Sequence, residues 1–182
     1  MIIAKCDKVV TKKLDIVTDC VVKYLCEHGI TVSTAESCTG GILSSAITSV
    51  AGASGIFELG MCCYSERVKE SVLGVDEEII SQYGVYSSQT AMAMASGIRK
   101  LSNADIGVGI TGIAGPHDDS VSGKRAGTVY ISVCSEDKEI TRELRLYESL
   151  AEVTRENVRV ESAVSALRMV AELVGLEIKE VI

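Results

Sequence analysis

The chain has 182 residues, a formal net charge of −7, 47% hydrophobic residues, one proline and no tryptophan. That length suits one domain with a full core of Val, Ile, Leu, Ala and Met. The acidic balance argues against a general nucleic-acid binder, which needs a cationic face to displace phosphate counterions.

Asp7 to Gly29 reads as a first helix. Val10, Leu14, Val17, Val21 and Leu25 make one apolar stripe, Lys12, Lys13, Asp15, Asp19 and Lys23 fill the other side, and Gly29 fits a C-terminal cap. Ile30 to Thr34 reads as the first strand. Thr34-Ala35-Glu36-Ser37-Cys38-Thr39-Gly40-Gly41 follows, and Ile42 to Val50 reads as a helix. That is strand, tight turn, helix, with a hydroxyl, a thiol, a carboxylate and two glycines at the turn. A helix N-terminus with glycines beside it suits a phosphate or a developing oxyanion. A plain N-cap by Ser or Thr explains the same residues.

Gly52 to Gly55 is a turn and Phe57 to Tyr64 a strand candidate. Arg67 to Leu73 predicts a short helix closed by Gly74. Asp76 to Tyr83 predicts another, capped by Asp76 and ended by Gly84. Ser87 or Ser88 caps a longer helix, Gln89 to Leu101, whose small residues (Ala91, Ala93, Ala95, Ser96, Gly97) imply close packing. Asp105 to Thr111 is a buried-strand candidate, with Gly107 and Gly109 where a backbone or ligand comes close. Thr111 to Pro116 is a turn and His117 to Arg125 a polar loop. Gly127 to Cys134 and Ile140 to Tyr147 form a hairpin, and Ser149 to Val174 is a last long helix. Helices alternate with strands and the late strands pair as a hairpin, so one α/β layered domain with a mixed sheet is expected.

The seven cysteines (Cys6, Cys20, Cys26, Cys38, Cys62, Cys63, Cys134) have no Cys-x-x-Cys and no zinc-ligand spacing with histidine. Most lie in apolar segments, where reduced cysteine packs as a small hydrophobe, so a reducing cytoplasm is expected. Met1 to Val10 lacks a signal-peptide apolar core, and no run reaches membrane-span length.

The two histidines support a Ser-His-Asp triad poorly. His28 ends the first helix, where a cation is favourable, and His117 lies in the polar loop. Asp118-Asp119 as a divalent-ion site is weaker still, since adjacent loop carboxylates are usually solvated. A lysine is the other base for a serine, provided burial or a nearby cation lowers its pKa. If a helix starts near Ser65, Lys69 stands one turn above it, with Tyr64 at the strand end; the alternative is a solvated surface lysine. Arg155 and Arg159 share one helix face and can clamp a phosphate, or simply pair with Glu152 and Glu156. Cys38 at a helix N-terminus is a third nucleophile candidate.

The octapeptide 34–41, Tyr64-Ser65…Lys69, Leu73-Gly74-Val75, Gly84-Val85…Ser87, Thr111-Gly112-Ile113-Ala114-Gly115-Pro116, Gly127-Thr128-Val129 and Arg155…Arg159 together resemble the CinA C-terminal domain family, over about residues 10 to 175. The resemblance implies a three-layer α/β/α sandwich with a mixed sheet, as a single domain over residues 1–182 with a core of about 7–175. It implies hydrolysis of nicotinamide mononucleotide to nicotinate mononucleotide and ammonia, in pyridine-nucleotide salvage, with no metal or organic cofactor. The implied partner is this small pyridine nucleotide, with no nucleic acid and no membrane, in a homodimer or higher homo-oligomer. No pyrophosphatase-type companion domain, and so no pyrophosphatase activity, is expected of this chain. Carried over by position, Ser37 is the nucleophile, Lys69 its base, Tyr64 its hydrogen-bonding partner and Thr111 a substrate-positioning hydroxyl. Thr39, Gly40, Gly41 and Gly112 face the substrate, as oxyanion donors or phosphate cradle. Arg155, Arg159 or both hold the phosphate. Direct attack by Ser37 and attack by a water that Ser37 or Thr111 orients remain alternatives, as does a non-catalytic nucleotide-binding module. The loop His117 to Arg125 departs from relatives, being more acidic and lacking their second proline.

Overall fold

The computed structural model describes residues 8–178, with side chains from residue 12 onward. Asp7 as a helix start, Val10 in the first stripe and Cys6 lie outside the residues so described. Helix α1 (Lys8–His28) buries Leu14, Val17, Val21 and Leu25, the rest of the expected stripe, and the chain turns out of it at Gly29 with φ +63°.

Strand β1 (Val32–Glu36) begins two residues later than Ile30 and carries the first part of the motif into the sheet. All five of its residues are buried, polar ones included. Two of its polar side chains find partners there: Thr34 Oγ1 lies 2.8 Å from Ser44 Oγ, and Glu36 accepts from the next helix, whereas the buried Ser33 hydroxyl has none. Helix α2 (Ile42–Ser49), strand β2 (Phe57–Cys62), helix α3 (Glu66–Leu73), helix α4 (Glu77–Tyr83) and helix α5 (Ser88–Ser102) follow. The expected caps hold: the Asp76 carboxylate accepts the Glu78 N–H and the Ser87 hydroxyl accepts the Thr90 N–H.

Strands β3 (Ile106–Gly112), β4 (Thr128–Cys134) and β5 (Glu139–Arg145) complete a five-stranded sheet in the order β2-β1-β3-β4-β5. β1 runs parallel to β2 and β3, whereas β3-β4 and β4-β5 are antiparallel. The sheet is mixed, as expected. Helices α1, α2 and α7 (Arg155–Val174) share a core with Val32, Ile106, Val108, Ile110, Val129, Ile131 and Val133 on one face. Helices α3, α4 and α5 cover the other, around Ala35, Cys63, Leu73, Met94 and Ile98. That is the α/β/α sandwich. Gly107 and Gly109 are where α5 lies against β3: a β-carbon on them would fall 2.2 and 2.3 Å from the Ala95 and Ala91 carbonyl oxygens.

The last helix is the clearest departure from the sequence reading. Ser149 to Val174 is not one helix but a single turn, α6 (Leu146–Ser149), then a break, then α7. Thr154 makes the break, because its hydroxyl accepts the Asn157 N–H at 3.1 Å and starts α7 afresh. Arg155 is therefore the first residue of α7.

The chain leaves β1 toward β2 through α2, then returns to β1's other side at β3 through α5, on the opposite face. A crevice opens at the carboxyl ends of parallel strands where such a reversal occurs.

Candidate active site

Ser37 follows the last residue of β1 and opens into that crevice. Its backbone N–H donates to Ile110 O of β3 at 2.9 Å, which fixes the turn to the sheet centre. Lys69 comes from the first turn of α3. Ser65 starts that helix by accepting the Val68 N–H, and four residues further on the lysine points inward. Lys69 is wholly buried, so the surface-lysine alternative does not hold. Its Nζ donates to Cys63 O at 2.7 Å, Ser37 Oγ at 3.2 Å and Tyr64 O at 3.4 Å. Burial holds its pKa below the ordinary lysine value. Two carbonyls take two N–H bonds. When the amine is neutral, its remaining position is a lone pair facing the serine hydroxyl.

Ser37 and Cys38 sit on the wall of a cleft of about 580 Å³, with Tyr64, Arg67, Tyr86, Gly112, His117, Asp118, Asp119 and Arg155 among its other walls. Arg155 reaches across it, donating to Gly115 O at 2.9 Å and Tyr64 Oη at 3.0 Å. Its expected pairing with Glu152 or Glu156 is absent among the described residues. Burial raises the Tyr86 pKa, so its phenol stays a donor at neutral pH.

Other expected site residues make other contacts than the expected ones. Tyr64 is 66% exposed and its hydroxyl meets Arg155, not Ser37; only its backbone carbonyl touches the Ser-Lys pair, through Lys69. Thr111 is fully buried outside the cleft lining and donates to Val85 O at 2.8 Å, so it anchors the segment that carries Tyr86. Arg159 donates to Thr39 O at 2.8 and 3.2 Å and packs over Gly40. It braces the motif turn from behind. Thr39, Gly40 and Gly41 do not line the cleft. Gly41 adopts φ +93°, and its amide, with those of Leu43 and Ser44, donates to the Glu36 carboxylate at 3.0, 3.1 and 2.8 Å. The N-terminus of α2 therefore already holds an anion, the protein's own.

Glu36 is the residue that sequence reasoning missed in this role. A carboxylate in a fully buried strand, five residues before a glycine that opens a helix, is the available signal. Because the carboxylate is buried and satisfies three amides and the Ser44 hydroxyl, Glu36→Gln should lower stability by about 3 kcal/mol. The midpoint of urea unfolding reads this directly, and an unchanged midpoint would contradict the cap.

Cys38 is 5% exposed, and burial pushes its thiol pKa up to about 12. A thiol held protonated is a poor nucleophile. In the polar loop, Asp118 accepts the Ala126 N–H at 2.8 Å and Asp119 the Ser122 N–H at 2.7 Å. Both carboxylates close the loop on itself as well as walling the cleft. No helix among the described residues is long and apolar enough to cross a membrane.

The sequence model of the CinA C-terminal domain matches residues 15–174. A CinA-like protein of Kosmotoga olearia is 45% identical over 126 residues, 69% of this chain and 30% of its own length. A Thermoanaerobacter pseudethanolicus relative is 40% identical over 159 residues, 87% of this chain and 37% of its own length. The chain thus spans about a third of the curated relatives it matches. Among solved structures, competence/damage inducible protein CihA from Agrobacterium tumefaciens superposes with a TM-score of 0.82 at 32% identity, covering 88% of this chain and 95% of that one. A competence-damaged protein (CinA) superfamily protein from Enterobacter cloacae gives 0.79 at 30% identity, covering 88% and 92%.

Proposed function

The chain belongs to the CinA C-terminal domain family, and from that premise we propose that it is an amidohydrolase converting nicotinamide mononucleotide to nicotinate mononucleotide and ammonia. The observation that carries the reading is the buried Lys69 Nζ 3.2 Å from Ser37 Oγ at the wall of an open cleft. Burying a lysine is costly, and pairing it with a serine is a known way to make that serine a nucleophile.

Neutral Lys69 takes the Ser37 hydroxyl proton as Oγ bonds to the amide carbon, and the carbonyl electron pair moves onto oxygen. The pair then returns, the C–N bond breaks, and the proton on Lys69 leaves with ammonia. Water hydrolyses the resulting ester by the same proton path and regenerates Ser37. No step calls for a redox partner.

The cleft walls suit the two ends of this substrate. Its phosphate monoester matches the guanidiniums of Arg155 and Arg67. Its pyridinium ring, a cation, matches the carboxylates of Glu66, Asp118 and Asp119 and the rings of Tyr64 and Tyr86. The acidic loop is thereby consistent with the substrate rather than at odds with it. A cleft of about 580 Å³ lies within the ordinary range for small-molecule sites.

The test is ammonia release from nicotinamide mononucleotide, with chelator and after thiol alkylation. Turnover should survive both treatments, the second because the Cys38 thiol is buried and protonated. Tight nucleotide binding by folded protein without ammonia release would overturn the enzyme reading in favour of a binding module.

A further inference from the structure

An amide carbonyl attacked by Ser37 becomes an oxyanion, which needs N–H donors that are free before substrate arrives. Most amides around Ser37 are already committed. The Ser37 N–H donates to Ile110 O at 2.9 Å, Gly40 to Ser37 O at 3.1 Å and Ile42 to Thr39 O at 3.4 Å. Those of Gly41, Leu43 and Ser44 go to Glu36. Only the Cys38 and Thr39 amides in this turn donate to no other residue among the described residues, and the Cys38 N–H meets nothing but its own sulfur. Both residues are buried, and a buried N–H without a partner is rare and costly. Cys38 lines the cleft, whereas Thr39 does not.

We infer that the backbone N–H of Cys38 is the oxyanion donor of the proposed reaction, and that Glu36 is the positioning residue that holds it there. This rests on the amidohydrolase reading. Cys38 directly follows the nucleophile, so its amide is fixed to the same turn as the attacking oxygen, the relation found in strand-turn-helix nucleophile elbows. Glu36 precedes the nucleophile and ties the far side of the turn to α2 through Gly41, Leu43 and Ser44. The turn is held at both ends, by Ile110 at Ser37 and by Glu36 at Gly41. With the helix N-terminus filled by Glu36, a second anion there would meet a like charge, so the developing oxyanion is left to Cys38. The residue matters through its backbone, and its thiol takes no part.

Replacing the amide between residues 37 and 38 by an ester removes the N–H; the residue there is given a methyl side chain, because a thiol beside the ester would take the acyl group and open the chain. Cys62 allows this: a synthetic segment 1–61, with lactic acid at position 38, is ligated to expressed 62–182. An all-amide Cys38→Ala protein made the same way is the reference, and an ester at position 39 in the same background is the control. The ester at 38 should lower kcat on nicotinamide mononucleotide by about 10²–10³-fold with KM within about twofold, and the ester at 39 should change kcat far less. Equal kcat in the 38-ester and the reference, or equal losses at 38 and 39, would overturn the inference while leaving the amidohydrolase reading intact. No ammonia from the folded reference would overturn both. Glu36→Asp, expressed conventionally, covers poor refolding of the ester. It keeps the charge and draws the turn back, so kcat should fall with KM and the pH profile unchanged. An unchanged kcat would remove Glu36 from its positioning role.

Discussion

Ser37→Ala should abolish turnover, by about 10⁴-fold or more, and leave the fold and nucleotide binding in place. Among the described residues, the Ser37 hydroxyl has one hydrogen-bond partner, Lys69, and the change removes a single buried oxygen. The backbone tie from Ser37 to Ile110 does not depend on the side chain. Arg155 and the tyrosines are untouched, so nucleotide affinity should stay within a few-fold. Single-turnover ammonia release and calorimetric binding measured side by side separate the two. Turnover within tenfold of wild type would remove Ser37 as nucleophile and favour attack by an oriented water.

Lys69→Met should be comparably severe for rate, and it carries a second signature in pH. Burial lowers the pKa of Lys69 in the folded chain, while the unfolded chain has the ordinary lysine value. Turnover should therefore rise with pH as Lys69 loses its proton, at a pH below the usual lysine range. Stability moves in the same direction. Below the folded pKa both states are protonated, and the folded state bears the full cost of a buried ammonium. Between the folded and unfolded pKa values the unfolded chain binds more protons, so stability rises with pH across that window. Lys69→Met should flatten this slope as well as remove activity. Urea unfolding of both proteins over the alkaline range measures it, and parallel slopes would mean that Lys69 does not titrate as argued.

The sequence made the scaffold readable wherever one side-chain pattern met one cap. The stripe Leu14–Leu25, the caps at Asp76 and Ser87 and the β4-β5 hairpin all follow from local chemistry. Gly107 and Gly109 announced a close approach, although periodicity could not say that α5 would make it. The break at Thr154 was hidden because the apolar spacing on either side stays in phase with one helix. At the site, types and spacing left Lys69 and Arg155 equally readable as surface residues, and the family resemblance put them forward with Ser37; in the fold Lys69 stands behind Ser37, and Arg155 lines the same cleft. What stayed illegible was direction. Tyr64 turns its ring outward, Thr111 spends its hydroxyl on Val85, and Arg159 grips Thr39 from the far side of the turn. A motif names residues that belong together in space, whether they face the ligand or hold those that do. Glu36 is the sharpest case, since its carboxylate takes the helix N-terminus that the glycines had advertised for a substrate.

The two halves of the Ser-Lys pair stand on parts of unequal security. Ser37 is tied to β1 and β3, flanked by strands on both sides. Lys69 rides on α3, which follows in the chain from β2, the strand at the sheet's rim, whose residues alternate between exposed and half-buried. Regions with few buried contacts open locally before a protein melts as a whole. A rim that loosens carries the base away from the nucleophile while the central strands stay zipped. On the amidohydrolase reading, loss of turnover should then precede denaturation, and the protein's useful lifetime in heat or denaturant should be set by its edge rather than by its core.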